Sequence, residues 1–281
     1  MNLDNFIANA LLEDVGENDH TSLACLPASA KGKAALTAKQ NGIIAGVELA
    51  ERIFHKVDPT LKITFNLMDG ASVNAGDCVF TVEGNSQSIL KSERLTLNCM
   101  QRMSGIATYT RKLVNLLNPA FGGTKILDTR KTTPGFRMLE KWAVKIGGGE
   151  NHRFGLYDMI MIKDNHIDFA GGITEAITKV KIYLKKNNLN LKVSIEARSL
   201  EEVKEIVKTG GVDRIILDNF TPQLLTQAVQ FINKRYETEA TGGITENTIR
   251  AYAESGVEYI SIGALTHSFT SLDLSLKAVI L

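Results

Sequence analysis

The chain has 281 residues, of which 44% are hydrophobic and 22% charged, and 32 basic residues nearly balance 31 acidic ones for a formal net charge of +1. This composition is typical of a globular protein that can bury a core in one large or two ordinary domains. The near-neutral charge excludes a global preference for nucleic acid or anionic membranes, so anion binding must depend on local clusters. No apolar run approaches the roughly 20 residues that a membrane-spanning helix requires.

The cysteines and the N-terminal residues indicate the expected cellular compartment. Cys25, Cys78 and Cys99 are an odd, widely spaced set without a CxxC pair, which argues against a disulfide framework or a cysteine-based zinc site. The segment MNLDNFIANALLEDVGE lacks a cationic leader. We therefore expect a cytoplasmic protein with no membrane partner.

The first part of the chain predicts a small α/β domain. Apolar residues at helical spacing indicate an amphipathic helix within residues 1–20. Short β-like pieces punctuated by glycine follow over residues 32–88, with a helix over 47–55. Residues 89–118 carry a long helical pattern, and Ser104-Gly105 within it predicts an interruption where two domains join.

The second part alternates strand-like and helix-like segments, which indicates an α/β barrel or a doubly wound sheet. Residues 266–281 predict a terminal helix that packs back on the first domain. Six strand-like runs are recognisable, at residues 125–129, 159–163, 191–196, 213–218, 236–240 and 258–262.

The densest cluster of cations lies in KILDTRKTTPGFRMLEKWAVKIGGGENHRFGLYDMIMIKDNHI. Lys125–Leu127 and Met159–Ile162 predict buried strands, and Pro134–Ile146 predicts a helix begun by proline and ended by Gly147–Gly149. A strand, helix, strand order predicts a parallel pair whose carboxyl ends face a ligand crevice. The cations expected there, which suit a polyanion, are Arg130, Lys131, His152, Arg153 and Lys163.

Two acidic residues end predicted strands. Glu196 lies near the end of LKVSIEA and Asp218 ends RIILD. Either residue alone is as well explained by an ordinary salt bridge. Two carboxylates on neighbouring strand ends, however, can hold Mg²⁺ through oxygen ligands and water, so the pair predicts a site.

Small residues after the last two strands predict a phosphate site. EATGGIT and SIGALTHS each run from a strand into glycine, which exposes main-chain N–H groups. Tight turns explain each motif equally well when it is taken singly. The candidates are Thr241, Gly242, Gly243, Gly263 and His267.

These motifs together resemble a known family. The segments DTRKTTPGFRMLEKWAVKIGGGENHRFGLYDMIMIKDNHI, LNCMQRMSGIAT, IILDNF, EATGGI and ISIGALTHS closely resemble the quinolinate phosphoribosyltransferases, also called nicotinate-nucleotide pyrophosphorylases (carboxylating). The resemblance covers nearly the whole chain. It implies transfer of a phosphoribosyl group from PRPP to quinolinate, with release of pyrophosphate and CO₂, to give nicotinate mononucleotide for NAD biosynthesis.

The resemblance also implies an architecture of the type II phosphoribosyltransferase kind. It consists of an N-terminal α/β open-sandwich domain and an incomplete, seven-stranded α/β barrel. We expect the first domain at residues 1–110, with the tail 266–281 packing on it, and the barrel at residues 111–265. The family further implies a homodimer with shared active sites.

The roles of individual residues are likewise implied by the resemblance. Quinolinate is expected to contact Arg102 of the partner subunit, together with Arg130, His152, Arg153 and Lys163. PRPP and its phosphates are expected to contact Lys131, Glu196, Asp218, Thr241, Gly242, Gly243, Gly263 and His267. The catalytic residues are expected to be Lys131, Lys163, Glu196 and Asp218. Mg²⁺ is the expected cofactor, held by Glu196 and Asp218 directly or through water.

Two departures from the family pattern and three alternative functions accompany this prediction. Ser194 stands where many members have a second acid, and Thr241 replaces a serine but keeps the hydroxyl. A molybdenum-utilisation paralogue of the same fold is the nearest alternative, although the intact KDNHI and NHR segments favour the quinolinate enzyme. A barrel lyase that forms a Schiff base on Lys163 is another, and a non-catalytic metabolite-binding protein is the third.

Overall fold

The structure is a computed structural model that describes residues 2–117 and 123–279. The helices of these residues are α1 (Leu3–Val15), α2 (His20–Cys25), α3 (Val47–Val57), α4 (Ser86–Leu117), α5 (Arg137–Ile146), α6 (Asp164–Ala170), α7 (Ile173–Lys186), α8 (Leu200–Thr209), α9 (Pro222–Ile232), α10 (Ile249–Ala253) and α11 (Ala264–His267). Their strands are β1 (Lys31–Ala38), β2 (Gly42–Ile43), β3 (Lys62–Phe65), β4 (Ser72–Val73), β5 (Cys78–Asn85), β6 (Lys125–Leu127), β7 (Ile160–Ile162), β8 (Val193–Ala197), β9 (Arg214–Asp218), β10 (Glu237–Thr241), β11 (Tyr259–Ser261) and β12 (Leu274–Ala278).

The chain divides into two compact units, each built from separate stretches of sequence. The first unit consists of Met1–Arg111, Thr132–Gly148 and Thr266–Leu281, and the second of Lys112–Lys131 and Gly149–Leu265. The sequence prediction placed residues 132–148 in the barrel domain, whereas their contacts assign them to the first unit. In that unit the ring of Phe136 packs edge-on against the ring of Phe6, with centroids 5.5 Å apart.

The first unit is built on a four-stranded antiparallel sheet in the order β12-β1-β5-β3. Apolar residues alternate along these strands, so one face of the sheet is apolar. The buried core combines that face, which includes Phe80 of β5, with residues of α3 and α4 such as Phe54 and Met100. The rings of Phe54 and Phe80 meet edge-to-face at 6.0 Å, and each buried ring stabilises the unit by about 1.5–3 kcal/mol.

The predicted interruption of the long helix is wrong. α4 runs without a break through Ser104 and Gly105. Glycine stands at position 105 because a Cβ there would overlap the carbonyl oxygen of Thr270 and lie 2.9 Å from the Cα of Ser271. Gly105 therefore permits Thr270 and Ser271 to pack closely against α4. Residue 118 of the predicted helical segment lies outside the described residues.

The predicted terminal helix is also wrong. Residues 274–278 form β12, which pairs antiparallel with β1 through partners such as Leu274 with Ala38 and Leu276 with Leu36. Leu272, Leu274 and Leu276 are buried at every second position, which is the periodicity of a strand with one apolar face. Residues 280 and 281 of the predicted helix lie outside the described residues.

The second unit contains a parallel sheet in the order β6-β11-β10-β9-β8-β7. Helices α6 to α10 follow its strands, so this unit has the predicted βα alternation. One expectation is wrong: β6 and β7 are the two edge strands of this sheet, not a parallel pair. The segment between them includes α5, which belongs to the first unit, so no short crossover joins them.

The overall class is confirmed, since an N-terminal sheet unit accompanies a parallel α/β unit. The resemblance implied seven strands, and the described part of the sheet has six. Glu150 extends the sheet beyond β6 through a single parallel bridge with Leu127, in which its N–H donates to the Ile126 carbonyl at 2.8 Å. This bridge brings the chain after the glycine triplet to the end of β6.

Candidate active site

The predicted cations lie in loops at the carboxyl ends of strands in the second unit. Arg130 and Lys131 follow β6, and Lys163 is the residue between β7 and α6. Arg153 follows the Glu150 bridge and is largely buried, with its Nη1 donating to the Met159 carbonyl at 3.2 Å. Burial lowers the pKa of Arg153, and the positive charge of Arg130 lowers it further. The two guanidinium groups therefore repel each other, as expected at a site for an anion.

The predicted acids lie on adjacent strands. Glu196 on β8 is in register with Ile216 on β9, and Asp218 follows two residues later, so both carboxylates are on the same face of the sheet. Lys163 Nζ donates to Glu196 Oε1 at 2.5 Å. Burial raises the pKa of the Asp218 carboxyl, which the positive charges of Lys163 and Lys131 oppose. Cations and acids thus form one mixed-charge cluster.

The predicted phosphate loop lies beside Asp218. Thr241, the last residue of β10, is in register with Asp218, and Gly242 and Gly243 follow directly. Both glycines have positive φ, of +98° and +62°. A Cβ on Gly243 would meet nothing within 4 Å, so the main chain is open on that side. Gly263 follows β11 at the same edge of the sheet.

Asn219 is a residue of this edge that the sequence reasoning left without a role. Its φ is +56°, and its main-chain N–H donates to the Thr241 carbonyl at 2.8 Å. Its side-chain Nδ2 donates to Asp218 Oδ2 at 2.9 Å, and a Cβ on Gly242 would overlap its Oδ1. Asn219 therefore joins the acid at the end of β9 to the glycine loop after β10.

His152 is one of the two buried residues among the predicted ligands, and Arg153 is the other. The main-chain N–H of His152 donates to Asp128 Oδ1 at 2.8 Å, and its Nε2 lies 3.3 Å from Glu239 Oε2. Glu239 also accepts from Arg214 Nη1 at 2.9 Å. The sequence analysis missed Glu239 and Arg214. The available signal was ETEAT, where a second acid occupies an alternate position of a buried strand just before the glycine loop.

Arg102 and His267 belong to the first unit by their contacts, unlike the other predicted site residues. Arg102 donates to the buried carboxylate of Glu140 from Nε at 3.0 Å and from Nη2 at 2.5 Å. Its guanidinium lies over the rings of Phe136 and Phe269, at 5.2 and 4.6 Å from their centroids. His267 ends α11, where it is exposed and its Nδ1 lies 2.7 Å from Ser268 Oγ.

Glu196 and Asp218 are the residues that the sequence analysis expects to hold a metal ion. No group of three or more histidine, cysteine or acidic residues that could hold a metal ion occurs among residues 2–117 and 123–279. Two carboxylates still fit Mg²⁺, which commonly takes its other ligands from substrate phosphates and water. Ser194, the departure from the family pattern, is buried on the same strand as Glu196 and donates to the Ile160 carbonyl at 3.2 Å.

Comparisons with known proteins show the family to which the chain belongs. A family model described as quinolinate phosphoribosyl transferase, N-terminal domain, matches residues 19–104, and the model of its C-terminal domain matches residues 106–277. The chain belongs to the quinolinate phosphoribosyltransferase family. The resemblance seen in the sequence motifs is thereby confirmed.

Members of the quinolinate phosphoribosyltransferase family from plants and bacteria are similar along nearly the whole chain. The chloroplastic nicotinate-nucleotide pyrophosphorylase (carboxylating) of Arabidopsis thaliana is 48% identical over 283 residues, covering 95% of this chain and 80% of the relative. A probable nicotinate-nucleotide pyrophosphorylase (carboxylating) of Bacillus subtilis is 40% identical, covering 100% of this chain and 94% of the relative. The crystal structure of NadC from Streptococcus pyogenes superposes with a TM-score of 0.93 at 37% identity, covering 99% and 97% of the two chains.

Helix length and hydropathy also bear on the membrane expectation. None of the helices within the described ranges is both long enough and apolar enough to cross a membrane.

Proposed function

We propose that the protein transfers the phosphoribosyl group of PRPP to the ring nitrogen of quinolinate and releases CO₂, giving nicotinate mononucleotide and pyrophosphate for NAD biosynthesis. One observation carries the proposal: a cluster of cations and two carboxylates share one edge of a parallel sheet, in a chain that matches both domain models of the family. An aromatic dianion and a polyphosphorylated sugar are substrates that suit such a mixed-charge site.

Quinolinate is proposed to bind Arg130, His152, Arg153 and Lys163. The repulsion between Arg130 and Arg153 supports this assignment, because a dianion placed beside both guanidinium groups would relieve it. Arginine can also bind a carboxylate through two parallel hydrogen bonds. The contact of Arg153 with the Met159 carbonyl restricts its side chain, so less conformational freedom is lost when the substrate binds.

PRPP is proposed to bind at the adjoining strand ends. The carboxylates of Glu196 and Asp218 can accept hydrogen bonds from the ribose hydroxyls, and the open main chain at Gly243 suits the 5′-phosphate. Lys131 is assigned to the pyrophosphate. The phosphate pocket is completed in this proposal by Thr241, Gly242, Gly263 and His267.

Mg²⁺ is the proposed cofactor, with Glu196 and Asp218 as its protein ligands, directly or through water. When bound, it would stabilise negative charge on the pyrophosphate leaving group. The ion pair of Lys163 with Glu196 brings a further positive charge to this edge of the sheet.

The chemistry follows from the charges of these residues. Departure of pyrophosphate leaves positive charge on the ribose carbon, which the carboxylates of Glu196 and Asp218 stabilise while Lys131 and Lys163 stabilise the leaving group. Once the ring nitrogen is alkylated, its positive charge stabilises the carbanion left by loss of CO₂, and uptake of a proton at that carbon completes nicotinate mononucleotide. The protein then has to orient the substrates and exclude water, and no dedicated base is needed.

The assembly and the compartment are part of the proposal. We infer a homodimer in which Arg102 completes the site of the other subunit. The anchoring of Arg102 by Glu140 supports this, because it fixes the guanidinium while 27% of the side chain remains exposed. The free thiols of Cys25, Cys78 and Cys99 support a reducing compartment, and we propose the cytoplasm.

The function is tested by incubating purified protein with quinolinate, PRPP and Mg²⁺. Nicotinate mononucleotide is followed by chromatography, and CO₂ is followed by release from carboxyl-labelled quinolinate. We expect equal amounts of the two products, none from nicotinate in place of quinolinate, and none from a Lys163→Ala variant. Quinolinate binding without product would contradict the proposal and favour the paralogue or a metabolite-binding protein.

A further inference from the structure

Glu239 is a buried acid in the middle of the parallel sheet, and the mechanism above does not use it. It is only 2% exposed, yet its carboxylate contacts groups from three other parts of the second unit. Oε1 accepts from Ser261 Oγ on β11 at 2.5 Å. Oε2 accepts from Arg214 Nη1 on β9 at 2.9 Å and lies 3.3 Å from His152 Nε2 in the loop after the glycine triplet.

The register of the sheet places Glu239 beside residues of the proposed site. Glu239 is in register with Ile216, which is in register with Glu196, so all three are on one face. Thr241 follows Glu239 two residues later and points to the same face. The side chain of Glu239 therefore lies in the same layer as Glu196 and one layer below Asp218 and Thr241.

A buried charge network of this kind needs an explanation other than stability. Removing ionic groups from water costs several kcal/mol for each ion, and apolar residues of similar size often stabilise a core equally well. Burial raises the pKa of Glu239, but His152, Ser261 and Arg214 together lower it below its ordinary value. The group is therefore ionised at neutral pH, and its negative charge is available to orient neighbouring donors.

The contacts of His152 show what that charge can orient. The main-chain N–H of Arg153 donates to His152 Nδ1 at 2.6 Å, so Nδ1 carries a lone pair. A ring that accepts at Nδ1 carries its proton on Nε2, which lies 3.3 Å from Glu239 Oε2. The hydrogen bond at one ring nitrogen sets the protonation of the other. A carboxylate at Nε2 thus favours the tautomer that accepts the Arg153 N–H.

We propose that Glu239 is a positioning residue for quinolinate: it holds His152 as the Nε2–H tautomer, and His152 in turn fixes the main chain of Arg153. The inference rests on the proposed function, because it takes Arg153 as a ligand of a substrate carboxylate. Asp128 holds the same loop from the other side by accepting the His152 N–H. Errors of about 1 Å in the position of a binding group can cost about a hundredfold in activity, so such anchoring affects catalysis.

The strand supplies a matched control. Glu237 is also on β10 and also binds Arg214, with its Oε2 accepting from Nη2 at 2.8 Å, but its other ion-pair partner is Lys192 and not His152. Glu239→Gln removes the charge facing His152 at nearly constant volume. Glu237→Gln removes a charge facing the same arginine. The comparison therefore separates the effect on His152 from a general loss of the Arg214 ion pair.

The expected result is selective for one substrate. For Glu239→Gln, KM for quinolinate should rise about tenfold or more, while KM for PRPP stays within about twofold. Glu237→Gln should leave both KM values within about twofold of those of the wild type. In His152→Asn, the asparagine Oδ1 replaces the Nδ1 acceptor and Nε2 is absent. Adding Glu239→Gln to this variant should therefore change KM for quinolinate by less than about twofold.

A spectroscopic measurement on the wild-type protein keeps the inference testable if Glu239→Gln does not fold. With ¹⁵N-labelled histidine, NMR should show the Nε2–H tautomer for the resonance that disappears in His152→Asn. An Nδ1–H tautomer would overturn the inference. It would also be overturned by equal rises of both KM values, or by equal behaviour of the two glutamine variants. Failure of the wild type to form nicotinate mononucleotide would instead refute the proposed function, and the tautomer would remain a separate result.

Discussion

Replacing Gly242 by alanine tests whether the loop after β10 is packed against Asn219. Gly242 has a φ of +98°, and an added Cβ would overlap Asn219 Oδ1 and lie 2.9 Å from the Asn219 nitrogen. The left-handed conformation costs a residue with a Cβ about 1–2 kcal/mol. Displacing a packed neighbour costs about 1–3 kcal/mol more. The two costs together predict a loss of unfolding free energy of about 2–5 kcal/mol.

Gly76→Ala is the matched control. Gly76 has a φ of +100°, and a Cβ there would meet nothing within 4 Å, so this variant carries the conformational cost alone. Urea denaturation of both variants isolates the steric cost, and Gly242→Ala should be less stable than Gly76→Ala by about 1–3 kcal/mol. Because Asn219 also donates to Asp218, we expect KM for PRPP to rise in Gly242→Ala only. Equal stabilities with unchanged KM for PRPP would refute the reasoning.

Three further predictions concern the cations and the thiols. Arg153→Ala should lose charge-assisted contacts worth about 3 kcal/mol, or about a hundredfold in kcat/KM for quinolinate, and activity within about threefold of wild type would contradict the assignment. Mixing Arg102→Ala with Lys163→Ala subunits should restore part of the activity by forming one intact site per heterodimer, and no recovery after confirmed subunit exchange would count against shared sites. Burial raises the pKa of Cys99 to about 12, whereas Cys25 is exposed. A thiol reagent at pH 8 should therefore modify Cys25 in the native protein and Cys99 only after unfolding. Rapid modification of Cys99 in the native protein, measured by peptide mass, would contradict this.

The local signals in the sequence predicted most of the elements that carry the site. Short apolar runs identified all six strands of the parallel sheet, and the residues that end them identified Glu196 and Asp218 as neighbours. Which strands lie next to each other in the sheet was harder to predict from the sequence. The order of β6 and β7 in the chain suggested a pair, but hydrogen bonding between strands depends on contacts that a single sequence does not contain.

The errors and omissions have identifiable physical causes. Leu272, Leu274 and Leu276 alternate as in a strand, and treating them as helical ignored a period of two. Gly105 was taken as a break, although close packing against Thr270 explains it. Glu239 was missed because its contact with His152 joins residues far apart in the sequence, and Asn219 was missed because its main-chain hydrogen bond to Thr241 does the same.

The discontinuous first unit has a consequence for synthesis on the ribosome. Its four-stranded sheet has β12, Leu274–Ala278, as an edge strand beside β1, so this sheet lacks one strand until residue 278 has been translated. A nascent chain that ends before β12 exposes the unpaired edge of β1 and the apolar positions that Leu274 and Leu276 cover in the finished protein. Pairing of this edge of β1 thus waits for synthesis of β12, and until then we expect the exposed strand and its apolar face to attract chaperones.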